Sequence, residues 1–243
     1  MAKKIYFSSL KGGTGVTTVC VGLGLALAAR GERTLLVDGD FKSACAMIVA
    51  GLGNMQVYTL ADYERAACRA KQAVINHPRC NNFSIMPSLG LKDAALIKRA
   101  VSEVEGLFDY VLLDKVAHEI CDSAVIVTEP YLPSVKSADC CKSALCDSGI
   151  KEVTLMVNRL NGGQVMSGEA FSAEQIAQIL RLKLLAVIPE DPTISAGKWR
   201  QQTVEAFGAA ANAILGKSGD VYDVLRGYHG LNGLLRRKMR ARI

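Results

Sequence analysis

The 243-residue sequence has no apolar run long enough to cross a membrane, no internal repeat and no low-complexity segment. Its N-terminus has no secretion-signal pattern, so we expect a cytoplasmic protein. The eight cysteines include no C-x-x-C pair, and the three histidines lack metal-ligand spacing. Cys140 and Cys141 are adjacent and would make a poor chelate on a helix, which favours buried, reduced thiols. These absences disfavour a disulfide scaffold and a zinc site, and the length suits one sizeable α/β domain.

Acidic residues are missing from the C-terminal end. Residues 224–243 hold six basic side chains and no acid, so the rest of the chain, with 23 of each, is neutral and the net charge of +6 belongs to the tail. From Val221 the apolar residues recur with helical spacing, although Lys238 and Arg242 interrupt the stripe. The pattern predicts a basic amphipathic tail at residues 218–243. Within this tail, residues 221–243 are predicted to bind an anionic membrane. The alternatives are a helix docked on the domain and a nonspecific nucleic-acid contact.

Strand-like apolar runs alternate with segments of helical period from residue 1 to 217. The predicted strands are 5–7, 34–37, 83–86, 110–113, 124–128, 153–157 and 184–188. The predicted helices are 19–30, 43–50, 59–71, 93–104, 133–146, 172–182 and 203–215. This alternation predicts an α/β, three-layer, doubly wound and mostly parallel sheet, followed by the C-terminal amphipathic helix. In such sheets ligands bind beyond the carboxyl ends of the strands.

A glycine-rich segment joins the first predicted strand to the first predicted helix. Gly12, Gly13 and Gly15 lack the Cβ atoms that would block a phosphate, and the helix N-terminus opens toward the same point. The generic phosphate loop, G-x-x-x-x-G-K-[ST], is not fully matched. Leu10 replaces its first glycine and Val16 replaces its lysine.

Residues 11–18 resemble the deviant Walker A loop, K-G-G-x-G-K-T-T, of the MinD/ParA family of P-loop ATPases, with Val16 as the one departure. The D-G-D at 38–40, the N-R at 158–159 and the I-P-E-D at 188–191 also resemble motifs of that family, in the same order. The MinD branch fits best, and the similarity covers nearly the whole chain. It implies a P-loop nucleotide-binding domain at residues 1–217 that binds ATP or ADP with Mg²⁺ and forms a homodimer around the nucleotide.

The resemblance also implies roles for individual residues. The nucleotide-binding positions are Gly12, Gly13, Thr14, Gly15, Val16, Thr17, Thr18, Asn158, Arg159, Pro189, Glu190 and Asp191. The metal positions are Thr17, Asp38 and Asp114. Two positions are catalytic: Lys11 reaches the phosphates of the partner subunit, and Asp40 orients the attacking water.

Two departures from the family bear on catalysis. Val16 removes a charge-assisted phosphate contact worth about 1.5–3 kcal/mol in binding. The second switch has Lys115 directly after Asp114 and lacks the family's Pro-Gly. We hypothesise that Lys115 supplies the charge that Val16 removed. The alternatives are that Lys115 faces solvent or pairs with an acid such as Asp40 or Glu119.

The MinD-like interpretation predicts an ATP-binding dimer at the inner face of the cell membrane that positions cell division or a surface apparatus with a regulatory protein. A second interpretation is a non-hydrolysing pseudo-ATPase scaffold of the TadZ type, which Val16 and Lys115 favour. A third is a DNA-partitioning ATPase of the ParA type, which rests on the basic tail. Whether the chain hydrolyses ATP stays open at this stage.

Overall fold

The computed structural model describes residues 1–40, 44–53, 55, 57–89, 91, 93–194, 197–217 and 219–228. Within these residues the strands are β1 Lys3–Ser8, β2 Thr34–Asp38, β3 Ile75–Asn76, β4 Phe83–Pro87, β5 Tyr110–Asp114, β6 Ser123–Thr128, β7 Val153–Leu160 and β8 Lys183–Pro189. They form one sheet in the order β3-β4-β2-β5-β1-β6-β7-β8. β3 runs antiparallel to β4, and the other neighbours are parallel.

Helices cover both faces of the sheet. They are α1 Val16–Ala28, α2 Cys45–Val49, α3 Leu60–Glu64, α4 Ala94–Val104, α5 Leu132–Asp147, α6 Gly162–Ser167, α7 Ala173–Leu180 and α8 Gln201–Ile214. One buried cluster joins α1, α2 and α8 to the sheet, and two further clusters join α4, α5 and α7 to its other face. The predicted three-layer, mostly parallel α/β fold is therefore confirmed.

Burial explains why the sequence adopts these elements. All five residues of β2 and all six of β6 are buried, as expected for parallel strands covered on both sides. In α4 the buried residues Ile97, Ala100, Val101 and Val104 recur at helical spacing. The carboxylate of Asp93 caps this helix by accepting the amides of its second and third residues.

The structure corrects several bounds predicted from the sequence and adds two elements. The helix predicted at 59–71 ends at Glu64, because Ala66 takes a left-handed conformation with φ 56°, and a 3-10 turn follows at Ala70–Ala73. β3 and α6 were not predicted. β7 continues past the predicted end at 157 to Leu160, through a change of register against β8.

The described part of the tail, residues 219–228, is packed against the domain. Val221 and Val224 join the cluster under α5 and α7, while Tyr228 and the Val224 carbonyl approach Gly162 closely. Residues 221–225 form no helix, and a 3-10 turn spans Arg226–Tyr228. The rest of the predicted amphipathic helix lies outside the described residues. Among the described helices, none is both long and apolar enough to span a bilayer.

The cysteines are free thiols, as expected. Cys141 is buried, whereas Cys140 is exposed, so the prediction that both are buried is wrong for Cys140. α5 presents only one face to the sheet, and Cys140 lies off that face. In the part of the chain that the structure describes, no three His, Cys, Asp or Glu residues form a metal-ligating cluster.

Candidate nucleotide-binding site

The glycine-rich loop leaves β1 at Ser8 and enters α1 at Val16. Gly13 and Gly15 have φ values of 83° and 85°, which residues with a Cβ rarely adopt. A Cβ on Gly15 would lie 2.5 Å from the Asn158 side-chain nitrogen, whereas the space beside Gly12 and Gly13 is open. The loop therefore needs glycine for its turn at Gly15 and leaves room for a phosphate beside the first two glycines.

Two side chains from β7 hold this loop in place. The Asn158 amide donates to the Thr14 carbonyl at 2.8 Å, and the Arg159 guanidinium donates to the Gly13 carbonyl at 2.9 Å. Arg159 has φ 56° and lies where the register of β7 against β8 changes. The irregular end of β7 thus brings both residues of the predicted N-R pair onto the phosphate loop.

The predicted metal residues Thr17 and Asp114 contact each other. The Thr17 hydroxyl donates to Asp114 Oδ2 at 2.5 Å, and Asp114 is 2% exposed. Burial raises the pKa of Asp114 to about 6, although the hydrogen bond from Thr17 partly lowers it. Asp114 Oδ1 and the Thr14 hydroxyl, both buried, have no hydrogen-bond partner within the described residues. Mg²⁺ prefers oxygen ligands, and the unpaired Asp114 Oδ1 and the Thr17 hydroxyl next to it are a suitable pair for Mg²⁺ that is bound together with a phosphate.

Asp38 has a different surrounding. Its two carboxylate oxygens accept the amides of Asp40 and Ala46, each at 2.9 Å. Burial raises its pKa, and the two backbone hydrogen bonds oppose the rise. These contacts tie the carboxyl end of β2 to the start of α2, which favours a positioning role for Asp38 over the predicted direct metal contact. Asp40 follows at this edge of the sheet, where Asp38 and Asp114 are register partners.

The predicted base-binding residues line one cavity of about 430 Å³ beside the loop. Its lining consists of Thr18, Ile48, Val49, Asn158, Arg159, Pro189, Glu190, Asp191, Pro192, Ile194 and Gly197. The cavity adjoins the loop through Thr18 and Asn158, so a nucleotide with its phosphates on the loop could place its base here.

Asp191 shapes this cavity rather than offering a free carboxylate. It accepts hydrogen bonds from the hydroxyls of Thr193 and Thr203 at 2.6 and 2.7 Å and from the Arg200 amide at 2.9 Å. Although burial raises the pKa of Asp191, these hydrogen bonds outweigh it and lower the pKa to about 2. Glu190 accepts the Asn161 side-chain amide at 2.8 Å, which links the cavity wall to the N-terminus of α6.

Glu129 is a residue of this site that the sequence prediction missed. It is buried, and its two oxygens accept Lys11 Nζ at 2.9 Å and Arg159 Nη1 at 2.8 Å. Lys11 also donates to the Ser134 hydroxyl at 2.9 Å. Burial raises the pKa of Glu129, but the Lys11 and Arg159 hydrogen bonds outweigh it and hold the pKa below its usual value. In this single chain Lys11 therefore contacts its own subunit.

The two departures from the family loop lie in different environments. Val16 is 1% exposed and belongs to the buried cluster that joins α1, α2 and α8 to the sheet. Lys115 is exposed, has φ 55° and donates its backbone amide to the Phe7 carbonyl at 3.0 Å. None of the ion pairs within the described residues includes Lys115, and Glu119 lies 3.6 Å from the His118 ring instead.

Comparison with known proteins agrees with this geometry. Residues 5–204 match the CobQ/CobB/MinD/ParA nucleotide binding domain. A putative septum site-determining protein MinD from Guillardia theta is 33% identical over 208 residues, covering 80% of this chain and 77% of that protein. MinD in the MinC:MinD cell division complex of Aquifex aeolicus superposes with a TM-score of 0.84 at 25% identity, covering 91% and 99% of the two chains.

A third comparison is with a ligand-bound protein. MinD from Pyrococcus horikoshii, whose structure is a complex with Mg-ADP, superposes with a TM-score of 0.76 at 24% identity, over 88% of this chain and 96% of that one. The matched domain contains both the loop at 11–18 and the strand ends that surround it. This chain therefore belongs to the CobQ/CobB/MinD/ParA family of nucleotide-binding proteins, in which its similarity is to the cell-division ATPases of the MinD branch.

Proposed function

We propose that this chain binds Mg-ATP at the glycine loop and dimerises around it as a MinD-like switch. The observation that carries the proposal is the pairing of Thr17 with a buried Asp114 whose second oxygen lacks a partner within the described residues. An isolated buried carboxylate is unfavourable, and a divalent cation would satisfy it. When bound, Mg²⁺ would neutralise charge on the β- and γ-phosphates, while Thr17 and Asp114 would hold its coordination shell.

The other predicted residues receive roles from their positions. Asn158 and Arg159 fix the loop from β7, and Asn158 lines the base cavity with Pro189. The Asn158 amide has both a donor and an acceptor, which suits the edge of an adenine. Asp40 lies at the carboxyl end of β2, near the magnesium position, where it would orient water for hydrolysis.

Dimerisation is proposed from Lys11. Its contacts with Glu129 and Ser134 must break before it can reach the phosphates of a second subunit. The Lys11 side chain is 40% exposed, so the exchange needs no opening of the core. A γ-phosphate offers more negative charge than Glu129, which would make dimerisation depend on ATP.

Membrane attachment is proposed from the basic tail. Each basic residue near an anionic surface adds about 1 kcal/mol, and one weak tail per subunit becomes effective when two are joined in a dimer. The protein would then be cytoplasmic and peripheral at the inner face of the cell membrane, where a regulatory protein binds the dimer. The MinC:MinD complex of the Aquifex relative supports a partner of this kind.

The test combines molar mass with sedimentation. Light scattering should give a dimer with Mg-ATP and a monomer with Mg-ADP or without nucleotide, and Lys11→Ala should stay monomeric with Mg-ATP. Vesicles with anionic lipid should sediment the wild type only with Mg-ATP, whereas neutral vesicles should not. A monomer under every condition would refute the switch.

A pseudo-ATPase scaffold is the second candidate, because Val16 is buried in the core and leaves the loop without its own lysine. Mg-ATP binding without phosphate release, with or without anionic vesicles, would select it. A DNA-partitioning ATPase is the third candidate, and it rests on the tail charge. Retention of the Mg-ATP form by nonspecific DNA, without binding to vesicles, would select that function.

A further inference from the structure

We propose that Lys115 provides the phosphate-binding cation that the glycine loop lost at Val16. This inference rests on the proposed Mg-ATP site and assigns a residue within it. Lys115 lies between the loop and the first switch, and Lys11 and Arg159 are paired with Glu129.

The position follows from the topology of the sheet. β5 lies between β1, which leads into the glycine loop, and β2, which leads to Asp38 and Asp40. Lys115 is the first residue after β5, and its amide donates to the Phe7 carbonyl on β1 at 3.0 Å. On the other side, the Gly39 amide donates to the Asp114 carbonyl at 3.1 Å. Lys115 therefore leaves the sheet at the edge where the phosphate loop and the first switch meet.

The position of Gly39 shows how closely this edge is packed. A Cβ on Gly39 would lie 2.2 Å from the Asp114 carbonyl oxygen and 2.9 Å from Val116 Cβ. Lys115 itself has φ 55°, a left-handed conformation that is unfavourable for a residue with a side chain. The surrounding contacts hold the backbone of Lys115 in this conformation, and conformations of this kind concentrate at functional sites.

Two other cations near the loop, among the residues that the structure describes, are already paired. Lys11 and Arg159 both contact Glu129, at 2.9 and 2.8 Å. Val16 is buried and uncharged. Lys115 is exposed and takes part in none of the ion pairs within the described residues, so its charge is available to an incoming ligand.

The charge of Lys115 reaches the neighbouring strand-end carboxylates. Burial raises the pKa of both Asp38 and Asp114, and the positive charge of Lys115 partly opposes each rise. Lys115 thus acts electrostatically on both strand-end carboxylates, including the one that is proposed to face Mg²⁺. A γ-phosphate placed beside Mg²⁺ at Asp114 would lie within the same field.

The test measures binding of Mg-ATP and Mg-ADP by calorimetry, without relying on turnover. Lys115→Met removes the charge and keeps the length of the side chain, and it should weaken Mg-ATP binding about tenfold to a hundredfold. Mg-ADP, which lacks the γ-phosphate, should lose much less. Lys115→Arg should retain most of the affinity for Mg-ATP, and Lys151→Ala, at the opposite edge of the sheet, should bind like the wild type.

The outcomes separate the two levels of the proposal. If the wild type binds no Mg-ATP, the proposed function fails and this inference fails with it. If the wild type binds and Lys115→Met binds equally well, only the inference is overturned. Equal weakening of ATP and ADP binding would also overturn it, because that pattern indicates a residue that only balances Asp38 and Asp114.

Discussion

The pH dependence of stability should reveal the buried carboxyl of Asp114. Its pKa is raised from 3.8 to about 6 by burial, so the folded protein keeps this proton over a pH range in which the unfolded chain releases it. A carboxyl with a raised native pKa destabilises the fold as the pH rises. The free energy of unfolding should therefore be lowered by about 3 kcal/mol at pH 8 and by about 1.6 kcal/mol at pH 5.

The variant Asp114→Asn removes this titration and keeps an acceptor for the Thr17 hydroxyl. Between pH 5 and pH 8 the wild type should lose about 1.4 kcal/mol more stability than the variant. Urea unfolding can be followed by the fluorescence of Trp199, which packs edge-on against Phe207 with ring centroids 5.4 Å apart. Asp139→Asn on the exposed face of α5 is the control and should follow the wild type.

Parallel pH curves for the wild type and Asp114→Asn would refute the reasoning, because they would mean that Asp114 titrates alike in the folded and unfolded states. Mg²⁺ with nucleotide provides a second check on the same group. A cation bound at Asp114 favours the ionised carboxylate, so the extra loss of stability at high pH should disappear for the wild type, whereas the pH dependence of the variant should not change.

Three further substitutions test other parts of the site. Glu129→Gln should destabilise the protein by only about 1–2 kcal/mol in urea unfolding at pH 7, since the paired cations, Lys11 among them, are partly exposed. Because the ion pairs lower the pKa of Glu129, the difference in stability should shrink as acid protonates the wild-type carboxyl, and a difference that does not change with falling pH would contradict the ion pairing. Asn158→Ala should weaken binding of ADP more than binding of tripolyphosphate in calorimetry, and equal effects would remove its role at the base. Gly162→Ala places a Cβ 2.7 Å from the ring of Tyr228, so amide exchange in residues 219–228 should accelerate, and unchanged exchange would show that the segment is not packed there.

Much of this architecture could be predicted from the sequence because its signals are local. Apolar strand runs such as residues 34–37 and 124–128 predict a buried parallel sheet, and they correspond to β2 and β6. The polar residues that follow such runs come together because the carboxyl ends of parallel strands share one edge. Thr17 and Asp114 lie at this edge, where the Thr17 hydroxyl donates to the Asp114 carboxylate at 2.5 Å.

Contacts between distant residues could not be predicted in this way. Glu129 meets Lys11 across 118 positions, and its V-T-E-P segment gave no local sign of this partner. The helix predicted at 59–71 has suitable apolar spacing, but the left-handed Ala66 breaks it, which periodicity does not reveal. The contacts of Asn158 and Arg159 with the glycine loop depend on the irregular end of β7, where the register against β8 changes. Local sequence periodicity does not reveal this change of register.

The central claim is that the loop at 11–18 binds a nucleotide although Val16 has replaced its lysine. Calorimetry of the full chain with Mg-ATP tests this directly, with Gly15→Ala as the comparison because its Cβ would meet Asn158 at 2.5 Å. We expect saturable binding at one site per chain for the wild type and none for a folded Gly15→Ala variant. Absence of binding to the wild type, or equal binding to both proteins, would contradict a phosphate site on this loop.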